Sequence, residues 1–273
     1  MQIRELRPAD VAPLDRVLQA AYGRPSSWVD RLASYLRAPQ VASFVADDGA
    51  APVGCVFAID YETVAYVSMM GVDPAMHRRG IARALFAAML AWGEARRLPW
   101  RLDATAMGAP LYASFGFVDD GETVVYAGEA HPVGTPDGTV RRATSADLDA
   151  MTALDRRAFG ADRGWRLASL IEEPETVAFV GGGGAFAMAR PHDLIGPIAA
   201  PNPQAAEAVI DAALALRSGA PRRIHLPSTN AAGPELLAAR GFAASRRLRH
   251  MTLGKPPAGD SAQLWGRISL GEG

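Results

Sequence analysis

The stretch Val67 to Trp92, VSMMGVDPAMHRRGIARALFAAMLAW, constrains what this chain can fold into more than any other. It starts inside an apolar, β-prone run from Val64 to Val72 and breaks at Asp73-Pro74. Ile81, Leu85, Ala88, Met89 and Trp92 then recur at helical spacing. Strand, turn and helix therefore follow in immediate succession. The turn His77-Arg78-Arg79-Gly80-Ile81-Ala82 puts glycine and a small residue at the helix entry, leaving several backbone N–H groups bare at a positive helix end. Such an end suits a pyrophosphate.

Two kinds of phosphate loop are excluded by residue type. A Walker loop needs Gly-Lys-Ser/Thr, and the chain's single lysine is Lys255. A dinucleotide fingerprint needs a third glycine where this chain has Leu85. What remains, Val72-x-Pro74 followed by Arg78-Arg79-Gly80-Ile81-Ala82-Arg83-Ala84-Leu85, resembles the acyl-CoA loop of the GNAT N-acetyltransferases. His77 stands in the slot where that family carries Gln or Arg. Leu111-Tyr112-Ala113-Ser114-Phe115-Gly116-Phe117 is similar to the Leu-Tyr-x-x-x-Gly-Phe segment many members carry further on. The resemblance covers about the first 128 residues.

Between and around these motifs the pattern predicts a mixed α/β chain of the α+β class. A short strand covers Ile3 to Arg7, and a helix from Pro8-Ala9-Asp10 ends at Gly23. A second helix spans Ser27 to Leu36, and strands Val41 to Ala46 and Pro52 to Asp60 are joined at Asp47-Asp48-Gly49. A fifth strand is expected at Pro99 to Ala104. Gly128 to Gly138, rich in Gly and Pro, reads as a linker.

Beyond the linker the chain begins again. Ser145-Ala146-Asp147-Leu148 matches Pro8-Ala9-Asp10-Val11, Ala158-Phe159-Gly160 matches Ala21-Tyr22-Gly23, and Trp165 matches Trp28, all at one offset (165 − 28 = 137). Later, Gly241-Phe242 matches Gly116-Phe117 at 241 − 116 = 125, so positions are lost between. The expected organisation is two tandem GNAT-like folds, each a mixed sheet flanked by helices: an N-terminal domain over 1–128, a linker over 129–138, and a degenerate copy over 139–273. At the offset of 125, Gly80 falls on Ala205 and Ala82 on Glu207, which would set a carboxylate against a pyrophosphate. Tyr112 falls on Leu237. The Gly181 to Gly184 run is followed by a strand and reads as a hairpin turn, and Leu264 to Leu270 reads as a last strand that could join either half.

The resemblance implies acetyl-CoA as cosubstrate, held by Met70, Gly71, Val72, His77, Arg78, Arg79, Gly80, Ile81, Ala82 and Arg83. Met70 and Val72 would act through their backbones, with the strand splayed so that an amide faces the thioester carbonyl. Tyr112 is the expected acid, since a phenol of pKa ~10 can protonate a departing thiolate whose thiol has pKa ~8.5. The general base is not identified by sequence, although Asp60, Glu62 and Asp103 lie near strand ends. Cys55 sits in an apolar strand with no histidine near it in sequence, which argues against a covalent acyl-enzyme.

A formal net charge of −1 offers no long-range attraction to nucleic acid or to an anionic membrane. Arg246, Arg247 and Arg249 read as a solvated strand face. His77, His131, His192, His225 and His250 have no metal-ligand spacing, so no metal is expected. One cysteine, a charged N-terminal stretch and no apolar run of ~18 residues predict a cytoplasmic protein. The expected function is acetyl transfer to a primary amine on a small molecule or a protein, with a non-catalytic acyl-CoA sensor as the alternative.

Overall fold

The computed structural model describes residues 1–134, 138–216 and 220–273, so part of the expected linker, 135–137, lies outside the described residues. The chain packs into two compact units, one of residues 1–102 with 253–256 and the other of 103–252 with 257–273.

The first unit carries strands β1 (Gln2–Arg4), β2 (Val41–Asp47), β3 (Pro52–Asp60), β4 (Ala65–Val72) and the start of β5 (Trp100–Ala104), in that spatial order. Neighbours run antiparallel except β4 and β5, which are parallel. Helix α1 (Val11–Tyr22) buries Leu14, Val17 and Leu18, and Gly23 closes it at φ 60, a left-handed C-cap that glycine adopts without strain. Helix α2 (Val29–Arg37) follows. Helix α3 (Ile81–Glu94) buries Ile81, Leu85, Phe86 and Met89. A Cβ on Gly54 would meet Leu85 of α3, whereas one on Gly71, the register partner of Cys55, would meet Leu18 of α1. Because Gly54 and Cys55 face opposite ways along β3, the two helices cover opposite faces of the sheet. β3 is accordingly buried from Pro52 to Ile59, an apolar run rather than an alternation.

The second unit contains helix α4 (Ala109–Ala113) and strand β6 (Val118–Gly128), the latter flanked by β11 (Arg222–Pro227) and β12 (Ala243–Leu253). Those pairings draw β6 into this unit, so the packing divides the chain earlier than the sequence repeat does. The sheet continues from β11 through β10 (Leu194–Ala199), β9 (Phe186–Arg190) and β8 (Val177–Val180) to β7 (Arg141–Arg142). β13 (Leu264–Gly266) pairs with β10, and so joins the second half. Helices α5 (Leu148–Phe159), α6 (Gly164–Glu172), α7 (Pro203–Leu214) and α8 (Gly233–Ala238) complete it. The linker's start is tied down: the Asp211 carboxylate accepts from the Val133 and Gly134 amides while holding Arg240 in a two-point ion pair.

The repeat is visible in three dimensions. α5 begins and ends 137 residues after α1 (148 − 11 and 159 − 22), and both helices stop at a left-handed glycine. Each is preceded by a 3-10 turn closed by an aspartate, Asp10 or Asp147, clamped by an arginine at the same offset, Arg4 or Arg141. Gly181–Gly184 turns β8 into β9, as the sequence implies. On β12, Arg247 and Arg249 pair across to Glu122 and Asp119 of β6 on an exposed face.

The second unit also buries charge. Arg163 and Asp155 are both inaccessible to solvent and joined by two hydrogen bonds of 2.8 and 2.6 Å. Removing one partner strands the other in a low-dielectric interior. Asp155→Ala is therefore expected to cost about 3–5 kcal/mol in urea unfolding. Asp155→Leu combined with Arg163→Met is expected to recover most of that loss; no recovery would mean the pair matters through packing, not charge.

Candidate functional site

β4 and β5 are in register only at Ala65↔Trp100 and Tyr66↔Arg101. β4 then runs on to Val72, and among the described residues no strand pairs with that edge beyond Tyr66. Its register with β3 also shifts, so that Met69 and Met70 together oppose Val56. This is a β-bulge, and Met69 carries it at φ 47, a conformation costly for a side chain with a Cβ. The splay expected at Met70-Gly71-Val72 thus starts one residue earlier. The bulge is held from three sides. Cys55 Sγ donates to the Met69 carbonyl (3.7 Å), Tyr22 donates from its hydroxyl to the Met70 carbonyl (3.1 Å), and Gly71 lets Leu18 of α1 pack directly on the strand. Burial pushes the Cys55 thiol up, so it stays protonated and serves this contact rather than nucleophilic attack.

From Val72 the chain turns through Pro74–Met76, where the Asp73 carboxylate accepts from the Ala75 amide. The His77 ring Nε2 lies 3.1 Å from the Val72 carbonyl, which requires that nitrogen to carry the proton. The ring in the Gln/Arg slot therefore folds back and staples the loop to its own strand. Arg78 follows at φ 62, then Arg79, then Gly80 at φ 78 as the N-cap of α3 with no side chain capping the helix. The first-turn amides of Ile81 and Ala82 have no partner within the helix. Arg78, Arg79, Gly80 and Arg83 are exposed, and a Cβ on Gly80 would meet no atom within 4 Å. An uncapped positive helix end, an open approach and three arginines fit the pyrophosphate of a CoA ester. Met70 to Arg83 are thus brought together as one continuous strand, loop and helix entry within the first unit.

Tyr112 lies in the second unit, on α4, and is buried. Its ring packs on Gly108 and lies 6.3 Å from that of Phe117. Desolvation pushes its phenol up to about 12, so it holds its proton throughout the neutral range. Asp103 is corrected by the structure. It is fully buried, accepting from Thr123 (2.7 Å) and His250 (2.9 Å). Burial alone would raise its pKa; Arg267, His250 and Thr123 outweigh that and hold it at about 2. Enclosed and already bonded to Thr123 and His250, its carboxylate is not presented at an exposed strand end. The Asp103–His250 pair, 147 residues apart in sequence, had no local signal by which it could be foreseen.

The second copy's equivalent differs in ways the sequence alignment misplaced. α7 begins at Pro203, so the residue matching Gly80 is its N-cap Asn202 (202 − 80 = 122), not Ala205. Glu207 is one turn inside the helix and pairs with Arg240 at 3.5 Å, so it does not stand at the helix mouth. Two other features close this copy. The Asn202 side chain accepts from the Ala205 amide at 2.9 Å, taking an amide a phosphate would need. And β10 and β11, in parallel register only at Leu194↔Arg223, part around β13. β13 pairs with β10 at Ile198↔Gly266 and Ala199↔Leu264, and Arg267 just beyond it donates its amide to the His225 carbonyl of β11. Trp265, nearly inaccessible, bonds the Ala200 carbonyl. Leu237, in the Tyr112 slot, is core.

Residues 39–119 match a family model described as "Acetyltransferase (GNAT) domain", and 151–266 match a second model of the same description. The chain belongs to the GNAT acetyltransferases and carries two such domains in tandem. A search of curated proteins by sequence found no match. Among solved structures, a candidate acetyltransferase from Pyrococcus horikoshii is 26% identical with a TM-score of 0.87, covering 100% of this chain and 95% of its own. A tandem GNAT protein from the clavulanic acid biosynthesis pathway is 16% identical with a TM-score of 0.68, covering 94% and 99%. A GCN5-related N-acetyltransferase from Sphaerobacter thermophilus, 16% identical, gives 0.67 over 95% and 98%. The last two show the fold alone. Among the described residues no cluster of His, Cys, Asp or Glu could hold a metal, and no helix is long and apolar enough to cross a membrane.

Gly80→Glu is expected to lower acetyl-CoA affinity at least ~100-fold by calorimetry, since a carboxylate would enter the phosphate approach. Gly80→Asn, which tolerates a left-handed φ, is expected to lose much less, separating charge from backbone strain. Titration of the intact chain is expected to show one CoA bound per chain; two would mean that β13 leaves the second copy.

Proposed function

We propose that the chain transfers an acetyl group from acetyl-CoA to a primary amine, by direct attack of the amine on the thioester while both are bound. The observation that carries this reading is the junction of the bulged end of β4, whose edge away from β3 has no strand beyond Tyr66 among the described residues, with the uncapped N-terminus of α3. The amides of Ile81 and Ala82, with the guanidinium groups of Arg78, Arg79 and Arg83, would hold the pyrophosphate. The backbone of Met70, Gly71 and Val72 would meet the thioester carbonyl and stabilise negative charge as it develops there. His77 would contribute by fixing the loop.

Tyr112 is proposed as the acid that protonates the departing thiolate, a role supported by its Leu-Tyr-x-x-x-Gly-Phe setting. The acceptor would be a small-molecule amine or a protein amine, the setting cytoplasmic, with no nucleic acid or membrane as partner. A thiol-release assay with acetyl-CoA and a panel of polyamines, amino acids, aminoglycosides and peptides tests the reading. Acceptor-dependent release supports it; acetyl-CoA binding without release on any acceptor would favour an acyl-CoA sensor.

Tyr112→Phe is expected to leave acetyl-CoA affinity within about twofold and to lower turnover on the best acceptor ~10²-fold or more. Unchanged turnover would show that the proton reaches the thiolate from elsewhere.

A further inference from the structure

The strained bulge needs something to hold it, and two of the three residues whose backbones are proposed to meet the thioester, Met70 and Val72, are held in the same way. The Val72 carbonyl is taken by His77, and the Met70 carbonyl by Tyr22. A peptide group is planar, so a donor on the Met70 carbonyl fixes the plane that follows Met70 and with it the direction of the strand toward Val72. Tyr22 is itself placed. It is the last residue of α1, and its ring lies 5.1 Å from that of Trp28, whose amide donates to Asp15 of the same helix (2.6 Å). The ring edge reaches the space above Gly71, where a Cβ would meet Leu18, Ala21 and Tyr22 in turn.

The repeat supplies an internal comparison. At the offset of 137, Tyr22 corresponds to Phe159, which ends α5 just as Tyr22 ends α1. The copy whose strand edge is open carries the hydroxyl; the copy whose strands are parted by β13 carries the same ring without it.

We infer that Tyr22 is a positioning residue for acetyl transfer: its hydroxyl, through the Met70 carbonyl, holds the bulged strand in the orientation that receives the thioester carbonyl. This rests on the acyl-CoA reading above. The bond is direct but solvent-accessible, so its loss is modest and specific to the acyl group. CoA, which has the pyrophosphate but no thioester, does not depend on it.

The test is calorimetric titration of the intact chain with CoA and, separately, acetyl-CoA, for wild type, Tyr22→Phe and Tyr22→Leu. Tyr22→Phe is expected to weaken acetyl-CoA about three- to tenfold while CoA stays within about twofold. Equal loss of both ligands in Tyr22→Phe, or no loss there with equal loss of both in Tyr22→Leu, would make Tyr22 a packing residue and overturn the inference. Failure of the wild type to bind either ligand would overturn the acyl-CoA reading itself, and this inference with it.

Discussion

Much of this structure depends on parallel strands that begin together and then part. In the first copy β4 and β5 are in register over two pairs; in the second, β10 and β11 over one. A parallel pair that continued in register would satisfy its own amides and offer nothing to a ligand. Parting leaves backbone donors without a ladder partner, and a buried amide without a partner costs about 1–3 kcal/mol. Each copy meets that demand differently. The second fills the gap from within, by laying β13 along β10. The first has, among the described residues, no strand on that edge of β4 beyond Tyr66, and carries a bulge there instead.

The helix that follows the parting strand completes the contrast. α3 and α7 each follow the strand before them in chain order, and both carry the helix dipole's positive end at their entry. Gly80 at φ 78 leaves α3 uncapped, whereas Asn202 caps α7 with its own side chain. Capping stabilises a helix by about 1 kcal/mol, so an uncapped entry is a local sacrifice that makes sense where an external anion supplies the missing acceptor. The second copy thus differs from the first by a side-chain cap and an inserted strand, not by a charge at the helix mouth.

Stability in the second unit is distributed in an unusual manner for a chain with almost no lysine. Arg163 with Asp155, Arg166 with Glu272 and Glu173, and Arg240 with Asp211 are charge pairs held by buried guanidinium groups. Arginine suits this because its planar fork can give a carboxylate two bonds at once and its charge is weakly hydrated. Such pairs add little net stability over apolar packing, but they make the unit intolerant of losing one partner.

The sequence by itself determined the local elements and the chemistry they offer. Glycine at a helix entry, Pro52 to Asp60 as a buried strand, α1 ending at Gly23 and the repeat at an offset of 137 all follow from dihedral preference and periodicity, which act over a few residues. What depends on distant pairing was not legible. The bulge at Met69 arises from register against β3, and the place of β6 from partners some hundred residues away. The burial of Asp103 with His250, and the choice of β13 to enter the second copy, are equally non-local. So is the start of α7, three residues before the position an ungapped alignment assigns it, because the second copy has three more residues between that helix start and Gly241 (241 − 203 = 38) than the first has between Ile81 and Gly116 (116 − 81 = 35). Such outcomes follow from the free energy of satisfying backbone groups across the whole fold, which no window of sequence contains.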